Sequence, residues 1–260
     1  MSVLDLTERE GVWLRRYGPA VDSGLSLVCF PHAGAAASAW QPLTAHVAPP
    51  LDMLAVQYPG RQDRRREPVR TRVEVLADEV TAVLLPLAGQ RPMALFGHSM
   101  GATLAYEVSL RLQAEGVEPV ALIVSGRRAP STYRDDRIHL RDDHGLVDAI
   151  RSLGGTDLRV LDDDEMVQMI LPAVRGDYTA IETYRAVPNT AVHCPLIVLN
   201  GTEDPQVTRQ EAEAWREHTT AACTVRWFPG GHFYLNGLLP QVAQAVIAGL
   251  GVTSSTTTRV

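Results

Sequence analysis

The chain has 260 residues, 45% of them hydrophobic and 21% charged, which suits one large or two small globular domains with a substantial core. A net charge of −6 gives nucleic-acid binding no electrostatic support, and all 24 basic residues are arginine, which excludes lysine Schiff-base chemistry and a P-loop lysine. Cys29, Cys194 and Cys223 are scattered and form no C-x-x-C pair, so they give no zinc signature and fit a reducing cytoplasm.

Met1 to Gly11 carries Asp5, Glu8 and Glu10 and does not read as a signal peptide. No apolar run reaches the roughly 18 residues needed to span a membrane. The expectation is a cytoplasmic protein without membrane or nucleic-acid partners, monomeric by default.

Residues 1–24 read as a loose lead-in with a short edge segment around Val12 to Arg15. Leu25 to Phe30 is a compact apolar strand, stopped by Pro31-His32-Ala33-Gly34. A helix follows through Trp40, Leu43 and Val47 and ends at Pro49-Pro50. Leu51 to Tyr58 is the next strand, and Val73 to Leu87 is an amphipathic helix with Leu76, Val80, Val83 and Leu84 on one face. Met93 to Phe96 leads into Gly97-His98-Ser99-Met100-Gly101, and a helical pattern leads out. Further strands are expected at Ala121 to Ser125, Pro195 to Asn200 and Thr224 to Phe228, with a last helix from Leu239 to Leu250. Alternating strands and helices predict an α/β fold with a mostly parallel sheet covered on both faces.

The alternation breaks between Gly126 and Pro195. That interval is helical in pattern, is interrupted by Gly154-Gly155 and Pro172, and is too long for a plain loop. The expected division is a core of residues 1–126 and 188–252, a helical lid of 127–187 and a disordered tail of 253–260. The other reading of the insertion is an ordinary helix pair packed on the core. Met166, Met169 and Ile170 fit an adaptable acyl channel, or simply core.

The chemistry rests on the G-x-S-x-G turn. Its glycines allow strand and helix to approach, and its serine is held exposed at a sharp bend. A serine nucleophile needs a base, and the base needs an orienting acid. In chain order Ser, Asp, His, each beyond a strand end, the chain supplies Ser99, Asp204 and His232. Glu203 competes with Asp204 for the acid, and His98, at a turn where adjacent side chains diverge, reads as structural. Two oxyanion donors are expected: the N–H of Met100, after the serine, and that of Ala33, after the first strand. Cys29 reads as buried and inert. Arg61, Arg64, Arg65, Arg66, Arg70 and Arg72 make the one strong local charge reversal. This run is either a solvated face or a docking patch for an acidic carrier protein or a phosphate, with Arg61, Arg64 and Arg65 as the contacts.

A set of ordered motifs completes the reading. Phe30-Pro-His-Ala-Gly34, Tyr58-Pro-Gly-Arg61 with Glu67-Pro68, Gly97-His-Ser-Met-Gly101, Leu153-Gly-Gly-Thr156, Glu182-Thr-Tyr-Arg185, Gly201-Thr-Glu-Asp-Pro205 and Gly231-His-Phe233 together resemble the type II thioesterases of polyketide and nonribosomal peptide assembly lines. The similarity covers about residues 12 to 250. It departs at Gly34 to Ala37, where alanines replace a second glycine, and at Phe233-Tyr234 in place of Phe-Phe. The resemblance implies an α/β-hydrolase fold with a helical lid. It implies hydrolysis of aberrant or stalled acyl groups from acyl or peptidyl carrier proteins. It places the family's catalytic side chains on Ser99, Asp204 and His232, with no metal or other cofactor beyond the phosphopantetheine that the substrate carries. An oxygen-ester hydrolase or acyltransferase of the same fold is the rival function. A non-catalytic carrier-binding scaffold is the rival of a different class.

Overall fold

The computed structural model describes residues 6–18, 24–47, 49, 51–154 and 162–252. Pro50, Gly155, Thr156 and the tail expected at 253–260 lie outside the described residues.

Among the described residues seven strands form one sheet: β1 (Leu14–Arg15), β2 (Ser26–Phe30), β3 (Asp52–Val56), β4 (Met93–His98), β5 (Leu122–Ser125), β6 (Leu196–Gly201) and β7 (Cys223–Phe228). Their spatial order is β1-β3-β2-β4-β5-β6-β7. Strands β2 to β7 pair in parallel, and β1 joins the edge antiparallel through Leu14↔Val56. Strands β2, β3, β4, β5 and β6 are buried at every position, which explains their unbroken apolar runs.

Alternate residues of each strand feed two cores. Val28, Phe30, Leu95 and Val124 pack with helices α3 (Val73–Ala88) and α4 (Met100–Ala114) on one face. Leu27, Cys29, Phe96 and Ile123 pack on the other, with α2 (Gln41–Val47) and the final helix α8 (Leu239–Gly249). Each fully buried Leu, Val or Phe contributes about 1.5–3 kcal/mol relative to exposure.

The lead-in is more ordered than its composition suggested. Glu8–Trp13 forms helix α1, started by a reciprocal capping box between Thr7 and Glu10. The T-x-x-E spacing was its sequence signal. Thr208 and Glu211 start the short helix α7 (Arg209–Glu213) in the same way.

Between β5 and β6 lie α5 (Asp143–Leu153) and α6 (Asp164–Thr183). Asp142 caps the start of α5, and Gly154, at φ 75°, closes its end. Pro172 was expected to interrupt the second helix, but α6 runs through it. Ile138, Leu146, Val147, Val167, Leu171 and Val174 form a small core of the insertion's own.

Candidate active site

Ser99 sits between β4 and α4 at φ 55° and ψ −120°, a strained conformation for a residue with a side chain. The flanking glycines make the turn feasible. A Cβ on Gly97 would lie 2.0 Å from the Gly101 carbonyl oxygen, and one on Gly101 would lie 2.1 Å from that of Phe30. Strand β2, the turn and helix α4 therefore touch backbone to backbone. The Ser99 N–H donates to the Ser125 carbonyl at 2.8 Å, tying the turn to the end of β5.

Asp204 follows β6 and His232 follows β7, so both reach the serine from carboxyl ends of the sheet, where open α/β folds place their sites. His232 Nε2 is 3.0 Å from Ser99 Oγ, and His232 Nδ1 is 2.9 Å from Asp204 Oδ2. The second Asp204 oxygen accepts the Gln206 N–H at 2.8 Å, which fixes the carboxylate's orientation. His232 is 3% exposed and Asp204 7%, whereas Glu203 is exposed and takes no part. In so dry a setting the attraction between an imidazole N–H and a carboxylate is screened less than in water.

Strand β2 neighbours β4 with Phe30 opposite Gly97, so the loop after β2 lies against the serine turn. The N–H groups of Met100 and Ala33 meet no acceptor among the described residues. Met100 opens α4, where free N–H groups and the helix dipole favour negative charge. A hydroxyl activated by a paired imidazole, next to free N–H donors, is the apparatus of acyl transfer. Among the described residues no group of three His, Cys, Asp or Glu is placed to hold a metal ion. No helix among them is long and apolar enough to cross a membrane.

Residues 26–250 match the Thioesterase domain family. The chain belongs to that family. A probable cadicidin biosynthesis thioesterase of Streptomyces griseus is 50% identical over 92% of this chain and 66% of its own length. Thioesterase PikA5 of Streptomyces venezuelae is 44% identical over 97% of this chain and 90% of its own. The solved structure of BorB, a type II thioesterase from the borrelidin biosynthetic cluster, superposes with a TM-score of 0.84 at 46% identity, over 92% of this chain and 98% of that one. The α/β-hydrolase fold expected from the sequence is the one observed.

Two groups of expected contacts stand elsewhere in this thioesterase. Arg61 and Arg64, read as docking residues, are each 5% exposed. Arg61 pairs with Asp177, and Arg64 pairs with Glu67 at 2.7 Å while its guanidinium lies 4.0 Å from the Trp13 ring centroid. Their charges are spent inside the fold, and of the three only Arg65 is exposed to a partner. The acyl-channel expectation meets a similar correction. Met166 and Met169 are 37% and 57% exposed, and Ile170 is half-buried at the edge of the insertion core. The inward face of α6 is the neighbouring row, Val167, Leu171 and Val174. A slip of one residue on a helix turns a side chain by about 100°, which is enough to exchange core for solvent.

Other residues crowd the site, among them His98, which the sequence marked as structural and which is buried. His98 lies inward, with its ring centroid 5.0 Å from that of His232, and its Nδ1 is 2.9 Å from Ser125 Oγ. Ser125 Oγ in turn meets Tyr234 OH at 2.7 Å. His32 and Phe233 complete the cluster, their ring centroids 4.8 Å apart. Burial, followed by the proximity of His232, holds His98 well below the usual histidine range. Loss of hydration, then His232 and Arg61, push His32 down to about 3. Cys29 is buried, and burial raises its thiol well above the usual range, in keeping with an inert core residue.

Proposed function

We propose that this thioesterase releases acyl groups from the phosphopantetheine arms of acyl or peptidyl carrier proteins in polyketide or nonribosomal peptide biosynthesis, editing aberrant or stalled chains. The line from Asp204 through His232 to Ser99, at 2.9 and 3.0 Å, carries the reading. The names of related proteins, a cadicidin biosynthesis thioesterase and a type II thioesterase from the borrelidin biosynthetic cluster, support a biosynthetic thioester as substrate.

Ser99 Oγ attacks the thioester carbonyl as His232 Nε2 takes its proton. Asp204 holds the Nδ1–H tautomer and stabilises the imidazolium. The tetrahedral oxyanion rests on the Met100 and Ala33 N–H groups, each worth about 3 kcal/mol of barrier by analogy with measured donors. The carbon–sulfur bond breaks and the thiol leaves, taking the proton from His232. A thiol ionises near pH ~8.5, so its departure needs less acid assistance than an amine's. Water, deprotonated by His232, then cleaves the serine ester and releases the acid. Every group these steps need belongs to the chain, so the reading calls for no metal or redox cofactor.

Residues 127–187 serve as a lid over the strand ends, and the exposed Arg65 contributes to docking of an acidic carrier. The enzyme works as a cytoplasmic monomer. The test is release of free acid from an acyl-pantetheine thioester and from the matched oxygen ester. A strong preference for the thioester is expected, and equal or better turnover of the oxygen ester would overturn the substrate assignment.

A further inference from the structure

Beside the triad, and not lined by any of its three residues, is a small cleft, partly open to solvent. Its walls include Thr103 of α4, Tyr184 just past α6, and four arginines: Arg127, Arg128, Arg134 and Arg185. Thr103 is one helical turn beyond Ser99, a rise of about 6 Å. Arg127 directly follows Gly126, on which a Cβ would sit 3.4 Å from His232 Cε1.

The charges in this cleft do not balance. Arg128 is 5% exposed, yet its Nε and Nη1 have no hydrogen-bond partner, and only Nη2 is engaged, by Asp136 at 3.1 Å. Arg127 makes no ion pair or side-chain hydrogen bond among the described residues. Loss of hydration and the adjacent Arg128 charge push the Arg127 guanidinium down to about 9, which still leaves it charged at neutral pH. Arg185 donates only to the Glu182 and Tyr184 carbonyls and lies over the Tyr133 ring at 3.5 Å. The nearby acids are already committed. Glu211 takes Arg134, and Glu182 accepts from the Ile138 and His139 N–H groups. A buried donor left unmet is costly, and more so when charged.

We propose that this cleft binds a small oxyanion, a phosphate or carboxylate group carried by the thioester substrate. Two under-partnered guanidinium forks side by side match the planar or tetrahedral oxygens of such a group, and Thr103 and Arg185 stand at its margin. The oxyanion's origin in the substrate rests on the thioester reading, whereas the oxyanion site does not. Its two sources are the phosphate of the pantetheine arm and a carboxylate on the acyl chain.

The first measurement is thermal unfolding of the full chain at constant ionic strength, titrated with inorganic phosphate and separately with acetate. A saturable rise in Tm with at least one anion is expected, lost in Arg128→Gln and kept in the surface variant Arg216→Gln. No saturable rise with either anion, or the same rise in Arg128→Gln, overturns the proposal. Should Arg128→Gln fail to fold, Arg127→Gln, at a less deeply buried position, takes its place.

The second measurement compares kcat/KM for acyl-pantetheine, acyl-phosphopantetheine and an ω-carboxyacyl-pantetheine of equal length. A preference of about tenfold for the phosphorylated substrate, shrinking toward one in the arginine variant, assigns the phosphate. The same pattern for the carboxyacyl substrate assigns the acyl carboxylate. Hydrolysis of all three without preference overturns this proposal while the thioesterase reading stands. Failure to hydrolyse any of them sinks that reading, and the anion titration still decides the site.

Discussion

Asp177, in the middle of the insertion helix α6, accepts the backbone N–H of Gly34 at 2.7 Å. Gly34 directly follows Ala33, so this bond ties the loop of the proposed oxyanion donor to the insertion. Arg61 reinforces it by pairing with Asp177 and by donating to the Ala35 carbonyl at 3.1 Å. Asp177 is completely buried, and its Oδ1 has no partner. The carboxylate therefore stands in a costly position whose product is the placement of one loop. Asp177→Asn should lower kcat by about tenfold or more with little change in KM, because a displaced oxyanion donor acts only in the transition state. Stability should fall by about 3–5 kcal/mol, since Arg61 is left buried without its counter-charge. The paired change Arg61→Met with Asp177→Leu should restore much of that stability and not the kcat. Denaturant unfolding and steady-state kinetics on the same preparations separate the two effects.

Acid sensitivity follows from the uncharged imidazoles. The folded His98 and His32 sit below the ordinary histidine value of about 6.5. The unfolded chain therefore binds more protons than the folded one as pH drops below 6.5. Stability from these groups is complete above that value and is lost on acidification, by about 1.4 kcal/mol per pH unit for each histidine until its folded value is reached. His98→Asn should flatten the acid limb of the stability curve between roughly pH 6.5 and 5. An unchanged slope in urea unfolding at several pH values would show that His98 is not held neutral.

The arginine run divides into structural and free members. Arg64→Glu should destabilise the chain markedly, because it removes a buried guanidinium bonded to Glu67 and to the Gln57 carbonyl and leaves acid against acid. Arg65→Glu should leave Tm within about 1 °C, in line with surface substitutions that change stability by less than ~0.5 kcal/mol. It should slow hydrolysis of a carrier-bound thioester more than that of a free one. Equal rates on both substrates would remove Arg65 from docking.

The lid reading has its own check. Limited proteolysis between Arg127 and Pro188 should slow when an acyl-mimetic inhibitor occupies Ser99. The same cleavage pattern with and without inhibitor would mean that the insertion is a fixed wall.

What the sequence could announce was local or set by strand ends. Ser99, Asp204 and His232 were legible because each sits just beyond an apolar strand, and parallel pairing brings strand ends to one side. Arg61 and Asp177 were not, because 116 positions separate them and each looks like an ordinary surface charge in its own segment. Arg64 was misread for a related reason: its burial depends on Trp13, from a helix that the composition of the lead-in concealed. The α6 face was misassigned because Met166, Met169 and Ile170 form a plausible apolar row, and only packing against α5 selects Val167 and Leu171 instead. The crowded arginines at 127 and 128 carry no signal by themselves, since their unmet N–H groups become visible only once the surrounding carboxylates are seen to be engaged.

The claim that Ser99 is the nucleophile is tested most directly by mass spectrometry of the enzyme quenched during turnover of a slow acyl-pantetheine. A covalent adduct of the acyl mass on the peptide containing Ser99 is expected. Ser99→Ala should form none and lose a factor of roughly 10⁴–10⁶ in kcat, as in other serine hydrolases stripped of their nucleophile. Thioester turnover by Ser99→Ala within tenfold of the parent, or an adduct on any other residue, would contradict it.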